Sequence, residues 1–247
     1  MTCNCFMSLS LSIAVIMATA LASEIRRPVC DVAQPALGNS IPLQGCAPDS
    51  EVAMTVRTLS HGRYQDQQKA VGRLKAEAGR STLCRKQVIA SLMSAMDQPK
   101  VDLTAGTPQF FLWHYGTQVL GELQATEALD LLIANFDRHD GSGFPFNHYP
   151  ALGGAIIMGE IALPRLQTAL RENPDRFTRR LTVFCIALIG GRSAHQILRQ
   201  ALEGETDPCV ASCIQASITA FKNKRRPHHI SDEQRTTWYA TFLCNGE

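Results

Sequence analysis

The chain has 247 residues, of which 45% are hydrophobic and 6% aromatic, and its formal net charge is +2. It carries 24 basic and 22 acidic residues, so no field of one sign favours a nucleic acid or a membrane surface as partner. We therefore expect no nucleic-acid partner, and the composition alone points to no particular activity.

The N-terminus resembles a secretory signal peptide. Residues 9–20 form an almost unbroken apolar and hydroxyl-bearing run, and Ala20-Leu21-Ala22 ahead of Ser23 has the small-x-small form of a cleavage site. We predict a signal peptide over residues 1–22 and an exported protein, periplasmic or secreted; a buried N-terminal helix is the alternative. No later segment offers about 18 continuous apolar residues, so no membrane span is expected in the mature chain.

An extended leader is predicted over residues 23–60, because prolines and turn residues interrupt any periodicity at its start. Seven cysteines follow the signal, and Cys30 and Cys46 flank a segment rich in proline and glycine that has little else to hold it. We predict a Cys30–Cys46 disulfide that staples this leader. Cys185 lies in an apolar run and is expected to be a buried thiol. The other pairings stay open, and the odd count leaves at least one thiol unpaired.

Helical periodicity dominates the rest of the chain. A helix with one apolar stripe is predicted over residues 67–78, and Ser81 is expected to cap the helix that follows it. Three helix pairs follow, at residues 108–123 and 126–136, 150–161 and 164–171, and 175–189 and 193–202. A helix at 208–221 begins a fourth unit, with Asp207 as its cap, and a terminal helix is expected at 231–243.

A short motif, two apolar residues followed by a glycine, recurs at the end of the first helix of each pair. Its glycines, Gly121, Gly159 and Gly190, lie 38 and 31 residues apart. Apolar residues four apart then begin seven or eight residues after each glycine, as the pairs Leu129/Ile133, Leu166/Leu170 and Leu198/Leu202. Helix pairs that repeat every 30 to 40 residues are typical of an α-solenoid.

These residues resemble the HEAT-repeat family, in particular its bilin-lyase-type units in bacteria. The resemblance implies an all-α, right-handed α-solenoid of about four HEAT-like helix pairs within residues 61–247, clearest over 108–222, with a terminal capping helix. It also implies a scaffold that binds other proteins, since the family mostly builds such surfaces.

The segment 137–149 interrupts the repeat and is the candidate recognition loop. It carries three aromatic residues and two histidines beside flexible glycines. The candidate partner-binding residues are Phe144, Phe146, His148 and Tyr149. A long connector whose rings pack onto the protein itself is the alternative.

No catalytic residue, metal ligand or cofactor is predicted. Asp137, His139 and Asp140 lack the spacing of a calcium loop, and Cys209 and Cys213 have no matching second pair. Serine elbows and phosphate loops are missing from the sequence. We therefore expect a non-catalytic scaffold that binds an unidentified protein or peptide outside the cytoplasm. The alternative is a bilin-lyase-like or other enzyme built on HEAT repeats.

Overall fold

The structure, a computed structural model, describes residues 45–98, 103–139 and 149–222. The predicted signal peptide, the first part of the predicted leader and the predicted terminal helix lie outside the described residues. Within the described ranges every regular element is helical. No helix in these ranges is both long enough and apolar enough to cross a membrane.

Ten α-helices and two short 3₁₀ segments are described. The 3₁₀ segments are Thr126–Ala128 and Gly159–Ala162. The α-helices are α1 Asp49–His61, α2 Tyr64–Ala78, α3 Thr82–Met96, α4 Pro108–Glu122, α5 Leu129–Ile133, α6 Pro150–Met158, α7 Leu163–Glu172, α8 Arg176–Ile189, α9 Gly191–Gly204 and α10 Pro208–Lys222.

Helix α1 corrects the prediction that residues 23–60 form an extended leader. Val52, Val56 and Leu59 lie four and three residues apart, and all three are buried. That spacing places them on one stripe of a helix, which packs against α2, α3 and α4. The stripe was present in the sequence, but it is short and follows a proline-rich segment.

The helices of the repeat region contact one another in two series. Helix α4 packs against α6, α6 against α8, and α8 against α10, while α5 contacts α7 and α7 contacts α9. Both members of the pairs Leu129/Ile133 and Leu166/Leu170 are buried, as is Leu198, whereas Leu202 is only partly buried. The predicted apolar pairs therefore face the core of the described region.

The motif glycines occupy two kinds of position. Gly159 and Gly190 end α6 and α8 with φ angles of 69° and 70°. Gly121 instead lies inside α4, where a Cβ atom would be 2.8 Å from the carbonyl oxygen of Gly154 on α6. After α4 the positive φ, 53°, falls at Gln124. The three glycines are thus not equivalent, because close helix packing requires the first and a left-handed turn requires the others.

Several predicted helix starts are confirmed by hydrogen bonds. The side chains of Ser81, Asp175 and Asp207 accept backbone N–H groups at the starts of α3, α8 and α10. The second helix of the third pair starts earlier than its predicted first residue, Ser193, because α9 begins at Gly191. The positive φ of Gly190 turns the chain directly from α8 into α9.

Candidate binding groove between helices α1, α3 and α4

A groove of about 800 Å³ lies between α1, α3 and α4. Its lining is mostly small, hydroxyl-bearing or amide side chains. The hydroxyl and amide members are Ser60, Gln87, Ser91, Ser94, Gln98 and Gln109, and Asp49, Arg57 and His61 also line the groove. The apolar members include Ala53, Ala90 and Leu112, which leave room above the helix backbones.

Helical geometry explains why α3 presents a polar stripe to this groove. Gln87, Ser91, Ser94 and Gln98 follow one another at intervals of four, three and four residues, so they share one side of the helix and its C-terminal end. Val88, Leu92 and Met96 occupy the opposite, buried side. The polar stripe was visible in the sequence, but only the apolar stripe was used to predict the helix.

The two ends of the groove differ in their electrostatics. At one end, Gln87 Nε2 donates hydrogen bonds to Asp49 Oδ1 at 2.6 Å and to the Ala47 carbonyl oxygen at 2.8 Å. The Asp49 carboxylate is therefore already engaged. At the other end, Arg57 is exposed, and no ion pair joins it to another described residue. Among the described lining residues, Arg57 is the one arginine or lysine, and it marks that end.

Ser60 and His61, beside Arg57, are adjacent but are not arranged as a nucleophile and its base. Ser60 Oγ lies 2.8 Å from the Arg57 carbonyl oxygen and 2.8 Å from His61 Nδ1. A carbonyl oxygen only accepts, so the hydroxyl hydrogen goes to Arg57 and Nδ1–H donates to Oγ. A general base would have to accept that hydrogen instead. This hydrogen bond holds the His61 imidazole in place.

The predicted recognition residues fall mostly outside the described residues, including Phe144, Phe146 and His148. Tyr149 is described, and it is only 6% exposed. Its ring centroid lies 5.3 Å from that of His139, and Pro150 then begins α6. A side chain this buried offers little surface to a partner, so Tyr149 is better explained as packing at the end of the segment.

The cysteines differ from the predicted pairing. Cys46 forms a disulfide with Cys84 on α3, and not with Cys30, which lies outside the described residues. The two α-carbons are 5.2 Å apart, because the chain before α1 runs beside the α2–α3 turn. Cys209 is also disulfide-bonded. Cys185 is a buried thiol, as predicted, and burial raises its pKa.

A second groove, of about 480 Å³, lies between α7, α8 and α9 and is less suited to binding. Its central charge, Arg179, pairs with both carboxylate oxygens of Glu205 at 3.2 Å. Glu205 also accepts the backbone N–H of Asp207. These charges hold the α9–α10 connection in place.

His114, which precedes Tyr115 in α4, packs among aromatic rings. Its ring stacks on Phe110 at 5.7 Å and meets Tyr115 edge-on at 5.0 Å. Burial lowers its pKa, so the neutral imidazole is favoured. The one described group of three metal-type ligands is Cys46, Glu77 and Cys84, two of which form the disulfide.

Comparison with family models, with curated proteins and with solved structures finds no match to this chain. The resemblance to HEAT repeats therefore stays a prediction.

Proposed function

We propose that this protein is a non-catalytic scaffold that binds an extended segment of a protein or peptide in the groove between α1, α3 and α4. The observation that carries the proposal is the polar lining of that groove. Side-chain amides and hydroxyls both donate and accept hydrogen bonds, as the N–H and C=O groups of a peptide backbone do. Gln98, Gln109 and Ser94 are exposed along the groove and suit this role.

The dimensions of the groove fit a short segment. Asp49 and His61, at the two ends of α1, both line it. At 1.5 Å per helical residue these ends are about 18 Å apart. An extended chain covers that distance with about five or six residues. The available Arg57 favours a segment with an acidic side chain or carboxylate at that end.

A stack of helix pairs is the architecture we propose for the described region, as in HEAT repeats. The successive contacts of α4, α6, α8 and α10, beside those of α5, α7 and α9, support this arrangement. Stacked pairs present side chains of neighbouring units on one continuous surface, which is how such scaffolds bind extended partners. The predicted right-handed superhelix of about four pairs belongs to the same proposal.

Export to the periplasm or the medium is part of the proposal. The signal-like residues 1–22 motivate it, and the Cys46–Cys84 disulfide supports it, because structural disulfides persist mainly in oxidising compartments. A partner in the same compartment is therefore expected.

Selection from an unbiased library of displayed decapeptides tests the proposal. Ser94→Trp places a large ring in the groove and should weaken the selected peptides at least about tenfold, which corresponds to about 1.4 kcal/mol. Ser193→Trp is the matched control, because Ser193 is an exposed helical serine on α9. Binding is measured by fluorescence anisotropy.

The charge at one end of the groove is tested on the same peptides. Arg57→Gln should weaken those with an acidic residue by about three- to tenfold at low salt, and added salt should reduce the difference. Arg73→Gln, at an exposed arginine of α2, should leave affinity unchanged. Peptides that bind Ser94→Trp as tightly as the parent would place the site elsewhere.

A further inference from the structure

A cluster of metal-type ligands lies where the chain before α1 meets the turn between α2 and α3. The sulfur atoms of Cys46 and Cys84 and a carboxylate oxygen of Glu77 all lie within 4.8 Å of one another. In the structure the two sulfurs are joined as a disulfide. Once they are separated by reduction, the same three side chains present two thiolates and a carboxylate from three different segments.

Two hydrogen bonds hold the Glu77 carboxylate in place beside the two sulfurs. Its carboxylate accepts the Ala47 backbone N–H at 2.7 Å and the Arg80 guanidinium at 2.7 Å. Outer hydrogen bonds of this kind orient a ligating carboxylate, and each oxygen keeps a further lone pair.

Cys84 is placed to become a thiolate. It is the third residue of α3, where the positive end of the helix dipole stabilises negative charge. The Ser81 hydroxyl also donates to Cys84 Sγ at 3.0 Å. Cys84 is 1% exposed, whereas Cys46 is partly exposed. An incoming thiolate therefore reaches Cys46, and Cys84 is the better leaving group.

A dithiol reduces the Cys46–Cys84 disulfide in two exchange steps. A reductant thiolate attacks Cys46 Sγ, the Cys46–Cys84 bond breaks, and Cys84 leaves as a thiolate. The second thiol of the same reductant molecule, once deprotonated, attacks the reductant sulfur of the mixed disulfide. Cys46 is then released as a thiolate. The reductant becomes a disulfide, two electrons enter the protein, and the two protons of the reductant are released or taken up by the thiolates.

We propose that in the reduced protein Cys46, Cys84 and Glu77 bind one divalent ion of the zinc type. Thiolate and carboxylate are ligands that zinc accepts in tetrahedral sites, and water or the Ser81 hydroxyl completes the fourth position. The three negative charges of these ligands are balanced by the two positive charges of the ion and the one of Arg80. Because the same sulfurs form the disulfide, the metal and the oxidised bond exclude each other.

Cobalt(II) titration of the full chain tests the proposal, after reduction with a phosphine under anaerobic conditions. We expect one equivalent of Co²⁺ that produces thiolate-to-cobalt absorption and that is lost in Cys84→Ser. Glu77→Gln keeps both sulfurs and should retain the absorption while weakening Co²⁺ affinity at least about tenfold. Circular dichroism verifies that each variant is folded.

Cys209→Ser is the matched control, since it also removes one sulfur of a disulfide. It should retain the equivalent that Cys84→Ser loses. The proposal is overturned if the reduced parent gives no thiolate-to-cobalt absorption, if Cys209→Ser loses the same equivalent, or if folded Glu77→Gln binds Co²⁺ as tightly as the parent. In the first case the Cys46–Cys84 pair acts as a structural disulfide alone. In the second the equivalent depends on a sulfur outside the cluster, and in the third Glu77 is not a ligand.

Discussion

At Gly121 the backbone of α4 comes so close to α6 that a Cβ atom would also lie 2.8 Å from the Cβ of Ile157. At Gly159 the surroundings are open, and nothing lies within 4 Å of an added Cβ. There φ is 69° and ψ is −143°, a conformation that is essentially restricted to glycine. One residue type thus meets a packing requirement in the first case and a backbone requirement in the second.

Alanine substitutions separate these two requirements. Gly159→Ala should lower the free energy of unfolding by about 1–3 kcal/mol through backbone strain. Gly121→Ala should lower it by a similar amount through overpacking, about 1–3 kcal/mol. Gly153→Ala is the control, because Gly153 is helical with open space around it, and it should be stabilising by about 0.5–1 kcal/mol. Urea denaturation measures all three, and a neutral Gly159→Ala would show that its turn tolerates a side chain.

The carboxylate of Asp175 makes the stability of the protein depend on pH in the acid range. Hydrogen bonds from Thr178, the first cause, lower its pKa, and its carboxylate caps α8 with an oxygen 2.6 Å from the Thr178 backbone nitrogen. A pKa lowered by folding means that the unfolded state binds the proton more tightly. The stabilisation is therefore complete above the ordinary carboxyl range, about pH 4, and is lost as the pH falls through the folded value.

Asp175→Asn should flatten this pH dependence. Asparagine still caps a helix but does not titrate, so the variant should lose less stability than the parent between about pH 5 and pH 2. The exposed Asp66→Asn serves as the control. Unfolding free energies are measured by urea denaturation at each pH. Identical pH profiles for Asp175→Asn and the parent would show that Asp175 does not contribute to the loss of stability in acid.

Among the elements, the connection between α9 and α10 depends on a largely buried ion pair. The side chains of Arg179 and Glu205 are 18% and 6% exposed. Because Glu205 also accepts the Asp207 backbone N–H, it joins the start of α8 to the start of α10. Removing one partner leaves the other charge poorly solvated, which costs more than the pair itself contributes.

Glu205→Gln should therefore lower the free energy of unfolding by about 1–3 kcal/mol. The exposed pair Arg171–Glu172, with side chains 66% and 62% exposed, supplies the control, and Glu172→Gln should change stability by less than about 0.5 kcal/mol. Thermal and urea denaturation measure both variants. Equal effects at the two sites would mean that burial does not strengthen the Arg179–Glu205 pair.

Helix positions were largely predictable from sequence, because the apolar stripes of α2, α3, α7 and α8 are long and regular. Helix α1 was missed because its stripe has three residues and follows prolines. The Cys46–Cys84 bond could not be predicted, since it depends on how α1 returns the preceding chain to the α2–α3 turn. Sequence spacing favoured Cys30, the nearer cysteine.

At the scale of the whole molecule, the candidate groove was not predicted either. Its lining comes from α1, α3 and α4, and α1 was not expected to be a helix. The polar stripe of α3 reads as an ordinary solvent-exposed face until α1 and α4 are placed beside it. The segment 137–149, which was singled out by its length and aromatic content, lies mostly outside the described residues.

The central claim is that partners bind in the groove between α1, α3 and α4. Site-specific photo-crosslinking of the protein in its native compartment tests it most directly. A photoreactive residue at Ser94 should crosslink to one defined peptide of a partner, mapped by mass spectrometry, and the same group at the exposed Glu203 of α9 should not. Equal crosslinking from both positions, or none from Ser94 while Glu203 captures the partner, would contradict the account.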